Sequence, residues 1–168
     1  IEAHTDLVKK LDYECELAVV LGRDARDVPA GQTRDYIFGY TILNDVSARD
    51  VQTAHKQWYF GKSLDGFTPI GPCIVTADAF ADYPPRLGIR SFVNGEKRQD
   101  SNTALQIFDI DHVIAELSQG MTLKAGTIIA TGTPAGVGMG MDPPQFLKPG
   151  DVVRCEIDGI GTLTNPVK

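Results

Sequence analysis

Two glutamates one position apart, Glu14 and Glu16, interrupt an otherwise apolar run at residues 11–21. On a β-strand, residues i and i+2 point to the same face, so we expect both carboxylates to project together while Cys15 projects to the other side. Asp45 closes the next apolar run. Like charges on a buried face are unfavourable unless they are neutralised, and a divalent cation is the simplest partner for a cluster of carboxylate oxygens.

Three carboxylates on a rigid sheet would fill about half of the oxygen positions that Mg²⁺ or Mn²⁺ prefers. The open positions would take water or substrate, which is typical of a catalytic metal. The spacing by itself also fits two other interpretations. The glutamates could lie on a solvated strand face, and Asp45, which follows Asn44, could be a helix-capping or turn residue.

Polar residues that suit an anionic ligand follow Asp45. A string with the form of a capping box predicts a helix from residue 47 to about 58, and three polar residues would share one of its faces: Arg49, Gln52 and Lys56. A cation and an amide beside a metal suit an oxygen-rich anion, although an ordinary solvated helix face fits as well. His55 lies near this face and could carry protons, but a lone exposed helix histidine is more often inert.

Lys62 and a glycine-rich loop complete the candidates. Lys62 is flanked by small and apolar residues, so its ammonium could hold a carboxylate or stabilise an enolate beside a metal; a surface lysine is the alternative. Residues 131–138 (TGTPAGVG) leave an apolar strand and could present backbone N–H groups and hydroxyls to an anion. Their spacing matches neither a dinucleotide fingerprint nor a P-loop, and a plain strand-to-loop turn fits it as well.

Strand signals dominate the elements that must position these residues. Runs rich in apolar and β-branched residues predict strands over residues 14–21, 36–43, 69–76, 89–93, 127–131 and 152–157. Two of them lead into hairpin signals, at residues 94–95 (NG) and 158–159 (DG). Helical spacing predicts a second helix over residues 111–119. Because strands do not alternate regularly with helices, the pattern predicts an α+β, predominantly β fold: a mixed, mainly antiparallel β-sandwich or β-roll with a few short helices.

Composition narrows the class of protein. The chain has 168 residues, 42% of them hydrophobic, and a net charge of −6 without a basic cluster. This balance favours one globular domain with a small-molecule partner over nucleic acid or an anionic membrane. Three widely spaced cysteines are expected to be reduced core residues: Cys15, Cys73 and Cys155. With no signal core and no long apolar run, we expect a soluble, cytoplasmic protein.

Several strings, in order and over nearly the whole chain, resemble the fumarylacetoacetate hydrolase family. They are residues 12–17 (DYECEL), 39–52 (GYTILNDVSARDVQ), 61–65 (GKSLD), 69–72 (PIGP), 93–99 (VNGEKRQ), 131–138 (TGTPAGVG) and 147–151 (LKPGD). The resemblance implies a single catalytic domain of mixed β-roll fold over residues 1–168, usually a homodimer.

The resemblance also implies site residues. One Mg²⁺ or Mn²⁺ would be bound by Glu14, Glu16 and Asp45. Substrate would be contacted by four residues, of which the lysine is also the catalytic residue: Arg49, Gln52, Lys62 and Thr133. Many members carry a general-base histidine, paired with a glutamate, in a mobile lid upstream of the metal-binding strand. His4 matches no lid motif, so we expect the general base to belong to sequence upstream of Ile1.

Family substrates share a 2-oxo acid unit. The resemblance therefore implies an enzyme that acts on a 2-oxo or 2,4-dioxo acid through a metal-stabilised enolate. Cleavage of a C–C bond is preferred, by acylpyruvate-type hydrolysis or oxaloacetate-type decarboxylation. Isomerisation of a 5-carboxymethyl-2-hydroxymuconate-type acid at the same site stays open, as does a non-catalytic protein that binds a 2-oxo acid.

Overall fold

The computed structural model describes residues 1–54 and 56–168. Over these residues it contains ten β-strands: β1 (Leu11–Asp12), β2 (Cys15–Leu21), β3 (Ile37–Asn44), β4 (Ser47–Ala48), β5 (Ile70–Thr76), β6 (Gly88–Val93), β7 (Glu96–Asn102), β8 (Ile128–Ala130), β9 (Val152–Ile157) and β10 (Gly161–Pro166). The same residues form three short helices: α1 (Arg49–Ala54), α2 (Tyr59–Lys62) and α3 (Ile110–Leu117). The α+β, predominantly β class predicted from the sequence is confirmed.

Within this described part, the strands form two four-stranded sheets and one two-stranded pair. The first sheet has the order β5-β3-β2-β8 and the second β10-β9-β6-β7, while β1 pairs with β4. All of these pairings are antiparallel. The two predicted hairpins are present: residues 94–95 join β6 to β7, and residues 158–160, which include the predicted turn at 158–159, join β9 to β10.

The hydrophobic core lies where the two four-stranded sheets pack together. From the first sheet, β2 contributes Cys15, Leu17 and Val19 at alternating positions, as the strand period predicts. From the second sheet, β9 contributes Val153 and Cys155. Every residue of β2 is buried, so the face that carries Glu16 is covered as well. The outer face of β2 is therefore a second buried surface.

The helix predicted from residue 47 is shorter than expected. Ser47 and Ala48 form β4 and pair with β1, and the Ser47 hydroxyl donates to the carbonyl oxygen of Asp45 at 2.9 Å. The helix begins at Arg49 and ends at Ala54. Tertiary strand pairing therefore overrides the local capping signal. Lys56 lies beyond the helix with a φ of 58° and is exposed, so the prediction that it shares a helix face with Arg49 is wrong.

Other expectations have mixed outcomes. Cys15 and Cys155 are buried, but Cys73 is exposed on the edge strand β5, so its prediction as a core residue is wrong. His55, suggested above as a proton carrier, lies outside the described residues. The second predicted helix is present as α3. Over residues 1–54 and 56–168, no helix is both long enough and apolar enough to cross a membrane.

Candidate metal and substrate site

The paired strands β2 and β3 bring three carboxylates together. Cys15 pairs with Asn44 at the end of the ladder. Two further hydrogen bonds extend it, since the Asp45 N–H donates to the Glu14 carbonyl oxygen at 2.8 Å and the Glu14 N–H donates to Asn44 Oδ1 at 3.0 Å. As a result, one carboxylate oxygen from each of Glu14, Glu16 and Asp45 lies within 4.8 Å of the others.

Burial makes these acids electrostatically unusual. Glu16 is 3% exposed, and burial raises the pKa of its carboxyl to about 7, while the hydrogen bond from the Gly132 N–H acts in the opposite direction. Burial also raises the pKa of Asp45, although Lys62 opposes this effect. Asp45 and Glu14 themselves contribute to the raised pKa of Glu16. The site therefore holds negative charge that the protein only partly neutralises.

Two positively charged side chains flank the three acids. Lys62 Nζ lies 2.7 Å from Glu14 Oε2 and 2.6 Å from Asp45 Oδ2. Arg49 Nη1 lies 2.6 Å from Glu14 Oε1 and donates to Gln52 Oε1 at 3.3 Å. Burial works against the charged guanidinium, but Glu14 and Asp12 more than offset it and raise the pKa of Arg49. Two of the four predicted substrate contacts, Arg49 and Lys62, therefore lie beside the acids, and a third, Gln52, contacts Arg49.

Helix α2 reaches this position because it packs closely against α1. Gly61 faces the backbone of Gln52, and a Cβ on Gly61 would lie 2.6 Å from the Cα and N atoms of Gln52. Real Cβ atoms essentially never approach other atoms so closely. The glycine thus permits the contact between the two helices. Because of this contact, the next residue, Lys62, lies beside the carboxylates.

The glycine-rich loop at residues 131–138 directs two of its backbone N–H groups at carboxylates of the chain itself. The Gly132 N–H donates to Glu16 Oε2 at 2.8 Å, and the Gly138 N–H donates to Asp12 Oδ1 at 2.7 Å. Thr133 Oγ1 donates to the Cys15 carbonyl oxygen at 2.9 Å. The loop was suggested above as a cradle for an anionic ligand. In the structure these donors instead hydrogen-bond the loop to the segment that carries the acids.

Two residues of the site were not identified from the sequence. Asp12 is fully buried and accepts a hydrogen bond from Arg49 Nε at 3.0 Å. Gln99 is fully buried as well, and its Nε2 donates to Thr133 Oγ1 at 2.8 Å and to the Pro134 carbonyl oxygen at 2.7 Å. Both lie in the strings that carry the family resemblance. Asp12 had a signal of its own, a third carboxylate beside Glu14 and Glu16 next to an apolar run.

The described histidines lie in other contacts. His4 Nε2 donates to the Asp65 carbonyl oxygen at 2.8 Å, and its ring packs edge-on against Phe67. His112 Nε2 lies 3.1 Å from Glu116 Oε2 on α3. Neither contact involves the three acids or the two cations of the site. The three acids could hold a metal ion, and neither of these histidines contacts them.

Comparisons with known proteins point to one family. The sequence model described as "Fumarylacetoacetate (FAA) hydrolase C-terminal" matches residues 1–168. The structure of a fumarylacetoacetate hydrolase from psychrophilic Exiguobacterium antarcticum is 52% identical, with a TM-score of 0.97 over 100% of this chain and 60% of that chain. The structure of a 5-carboxymethyl-2-hydroxymuconate delta-isomerase from Mycobacterium smegmatis is 43% identical, with a TM-score of 0.87 over 99% of this chain and 61% of that chain.

Curated relatives extend the comparison. The oxaloacetate tautomerase YisK of Bacillus subtilis (strain 168) is 48% identical over 167 residues, which cover 99% of this chain and 55% of that protein. The chain thus spans about half the length of the curated relatives it matches. Since the family model covers every residue and the relatives share close to half of their aligned positions, the chain belongs to the fumarylacetoacetate hydrolase family.

Proposed function

We propose that this chain carries the active site of a divalent-metal-dependent enzyme that converts a 2-oxo or 2,4-dioxo acid through its enolate. One observation carries the proposal: three carboxylates converge within 4.8 Å, and two cations, Arg49 and Lys62, stand beside them. Such a site has a place for a cation and a place for an anionic substrate next to it.

The three acidic residues are chemically suited to bind a divalent cation. All three groups offer carboxylate oxygens, the hard ligands that Mg²⁺ and Mn²⁺ prefer. Burial of Glu16 leaves a charge that a cation would stabilise, as its raised pKa indicates. Glu14, Glu16 and Asp45 would hold the ion, which when bound would supply a Lewis acid that polarises the 2-oxo group and stabilises negative charge on it.

The positively charged side chains of Lys62 and Arg49 keep hydrogen-bond donors that are free to contact substrate. Lys62 carries three N–H donors, and its contacts with Glu14 and Asp45 use two of them. Arg49 uses Nε toward Asp12 and Nη1 toward Glu14 and Gln52. The third proton of Lys62 and the Nη2 group of Arg49 would therefore orient a substrate carboxylate, and Gln52 would add its amide nitrogen.

Thr133 would act differently from the other three contacts. Its hydroxyl hydrogen is donated to the Cys15 carbonyl oxygen, and its oxygen accepts from Gln99 Nε2. A hydroxyl used in this way has no proton for an anionic substrate. We therefore expect Thr133 to contact substrate through its backbone N–H, with its side chain fixing the loop.

Two reactions suit an enolate site, and the relatives favour one of them. Tautomerisation and isomerisation move a proton between carbon and oxygen, and two relatives at 48% and 43% identity are named as a tautomerase and an isomerase. Proton transfer is therefore our first candidate. Cleavage of a C–C bond, preferred from the sequence alone, is the second; a relative at 52% identity is named as a hydrolase.

We also propose that the protein is a homodimer. An exposed apolar patch supports this: Leu105 is 75% exposed, Ile107 is 92% exposed and Phe108 is 60% exposed. Contiguous apolar surface of this kind is typical of an interaction site. Analytical ultracentrifugation of the wild-type protein and of Ile107→Asp tests this proposal, since a dimer that uses the patch should dissociate in the variant.

A panel of 2-oxo and 2,4-dioxo acids, assayed with Mg²⁺ and with Mn²⁺, tests the enzymatic proposal. The keto–enol interconversion of oxaloacetate can be followed separately from its decarboxylation, which separates the two candidate reactions. We expect turnover that Glu14→Ala abolishes. Saturable binding of oxalate without turnover of any acid would instead indicate a non-catalytic binding protein.

A further inference from the structure

Asp12 is a fully buried carboxylate to which the proposed function assigns no role. It ends β1, and its side chain is 0% exposed. Four N–H groups donate to it: those of Tyr13 at 2.9 Å and Gly138 at 2.7 Å to Oδ1, and those of Met139 and Arg49 Nε, both at 3.0 Å, to Oδ2. A carboxylate offers about four lone-pair positions, so the capacity of Asp12 to accept hydrogen bonds is filled.

One of these contacts joins Asp12 to the three acids through Arg49. The guanidinium is a rigid fork, so fixing its Nε against Asp12 also fixes the direction of Nη1, which lies 2.6 Å from Glu14 Oε1. The pairing of β1 with β4 brings the two residues together, since Asp12 pairs with Ser47, two positions before Arg49. Arg49 therefore divides its charge between two carboxylates instead of neutralising Glu14 alone.

Two other contacts, from the N–H groups of Gly138 and Met139, join Asp12 to the end of the glycine-rich loop. Position 138 must be glycine for this closure, because a Cβ there would collide with the Gln145 carbonyl oxygen and lie 2.8 Å from Asp12 Oδ1. The beginning of the same loop is held by Glu16 through the Gly132 N–H. Asp12 and Glu16 thus anchor the two ends of residues 132–138.

We propose that Asp12 is a positioning residue of the active site, which acts through Arg49 to hold the carboxylate of Glu14 in the orientation that binds a divalent cation. This inference rests on the proposed function, because it assumes that Glu14 is a metal ligand. Partners that orient metal ligands typically contribute about 10- to 100-fold to metal affinity. Without Asp12, the full charge of Arg49 would turn to Glu14 and compete with the cation for it.

Mn²⁺ binding to the folded protein, measured by titration calorimetry, tests the inference without reliance on turnover. Asp12→Asn replaces one acceptor oxygen with an amide nitrogen and so cannot accept from all four donors. We expect it to bind Mn²⁺ about tenfold more weakly or worse. Ser118→Ala is the matched control, because it removes another fully buried hydrogen-bonding group, which accepts from the Val28 N–H at 3.1 Å, away from the site. The control should lose stability and keep wild-type Mn²⁺ affinity.

Arg49→Lys provides a second measurement that does not depend on the folding of Asp12→Asn. It keeps a positive charge beside Glu14 but lacks the fork that spans Asp12 and Glu14, so it should also bind Mn²⁺ about tenfold more weakly. If Arg49→Lys, or folded Asp12→Asn, binds Mn²⁺ within twofold of the wild type, the inference about Asp12 is overturned. Failure of the wild type itself to bind Mn²⁺ would overturn the proposed function, and this inference with it.

Discussion

The backbone of Gln52 fills the space in which a side chain on Gly61 would lie. The two residues belong to α1 and α2, and a Cβ on Gly61 would come within 2.6 Å of Gln52 backbone atoms. The next residue after Gly61 is Lys62, whose ammonium contacts two of the three acids. The placement of the lysine therefore depends on the absence of a single methyl group.

Gly61→Ala should displace Lys62 without removing it. Because a displacement of about 1 Å at a reacting group can lower turnover on the order of 100-fold, we expect kcat/KM to fall by about that factor. Steady-state kinetics with the best acid of the panel measures the effect. Gly140→Ala is the control, since a Cβ there meets only Val137 Cγ2 at an ordinary 3.8 Å. Equal kinetics for Gly61→Ala and wild type would contradict this account of the helix contact.

Removal of the Lys62 ammonium should reduce catalysis directly. In Lys62→Met a chain of similar length remains, but the donor that would orient substrate is lost. We expect kcat/KM to fall about 100-fold or more, as is usual when one stabilising donor is removed from an active site. Lys124→Met is a matched control, because Lys124 Nζ also lies 2.6 Å from a carboxylate, that of Asp24, but on an exposed surface. A Lys62→Met enzyme with wild-type kcat/KM would rule out the catalytic role of this lysine.

Divalent cations should stabilise the protein through Glu16. At a concentration of about 100 times Kd, a ligand that binds only the folded state adds about 2.7 kcal/mol to the free energy of unfolding, which for a chain of this size raises Tm by about 5 to 10 °C. Thermal melts with MgCl₂ and with EDTA measure the shift. Glu16→Gln should abolish it, whereas Glu156→Gln, which alters an ion pair with Arg154 on the second sheet, should retain it.

Without metal, the stability of the protein should fall as pH rises from about 5 to 7. The pKa of Glu16 is raised from 4.5 to about 7 by burial, so between these values the folded state binds more protons than the unfolded state. The free energy of unfolding then decreases by roughly 2 kcal/mol between pH 5 and 7, since one pKa unit corresponds to about 1.4 kcal/mol and the folded state has already lost part of this proton near pH 7. The raised pKa of Asp45 acts in the same direction.

Urea unfolding in EDTA at several pH values tests this dependence. Glu16→Gln should remove most of the decrease. The acids whose pKa values are lowered by exposed partners, such as Asp24 beside Lys124, lose their stabilising effect only below the pH range in question. A metal-free wild type whose stability rises from pH 5 to 7 would contradict the raised pKa of Glu16.

The proximity of the three acids could be predicted because their positions follow from local rules. Strand period places Glu14 and Glu16 on one face, and Asp45 follows directly on the neighbouring strand, so only the pairing of β2 with β3 remained to be supplied. The predominantly β class followed from the same runs and hairpin signals. These features depend on residues close together in sequence.

The features that sequence did not reveal depend on distant contacts. Ser47 carries a helix-capping signal, yet it pairs with Asp12, which is 35 positions away in the numbering, and α1 starts later. Gln99 is an uncharged side chain in a strand otherwise rich in charge, and its role appears only where it meets the loop at Thr133. Cys73 has apolar neighbours but lies on an edge strand, and only the order of the strands shows this.

Because β2 pairs with β3, the positions of the acids disfavour an incorrect register between these two strands. Cys15 pairs with Asn44 and Glu16 with Leu43, which keeps Cys15 and Leu17 in the core and the glutamates on the other face. A slip of one residue would turn both glutamates into the apolar layer between the sheets. Burial of unpaired carboxylates there would cost several kcal/mol. The side chains proposed to hold the cation would thus disfavour misaligned chains during folding, before any ligand has bound.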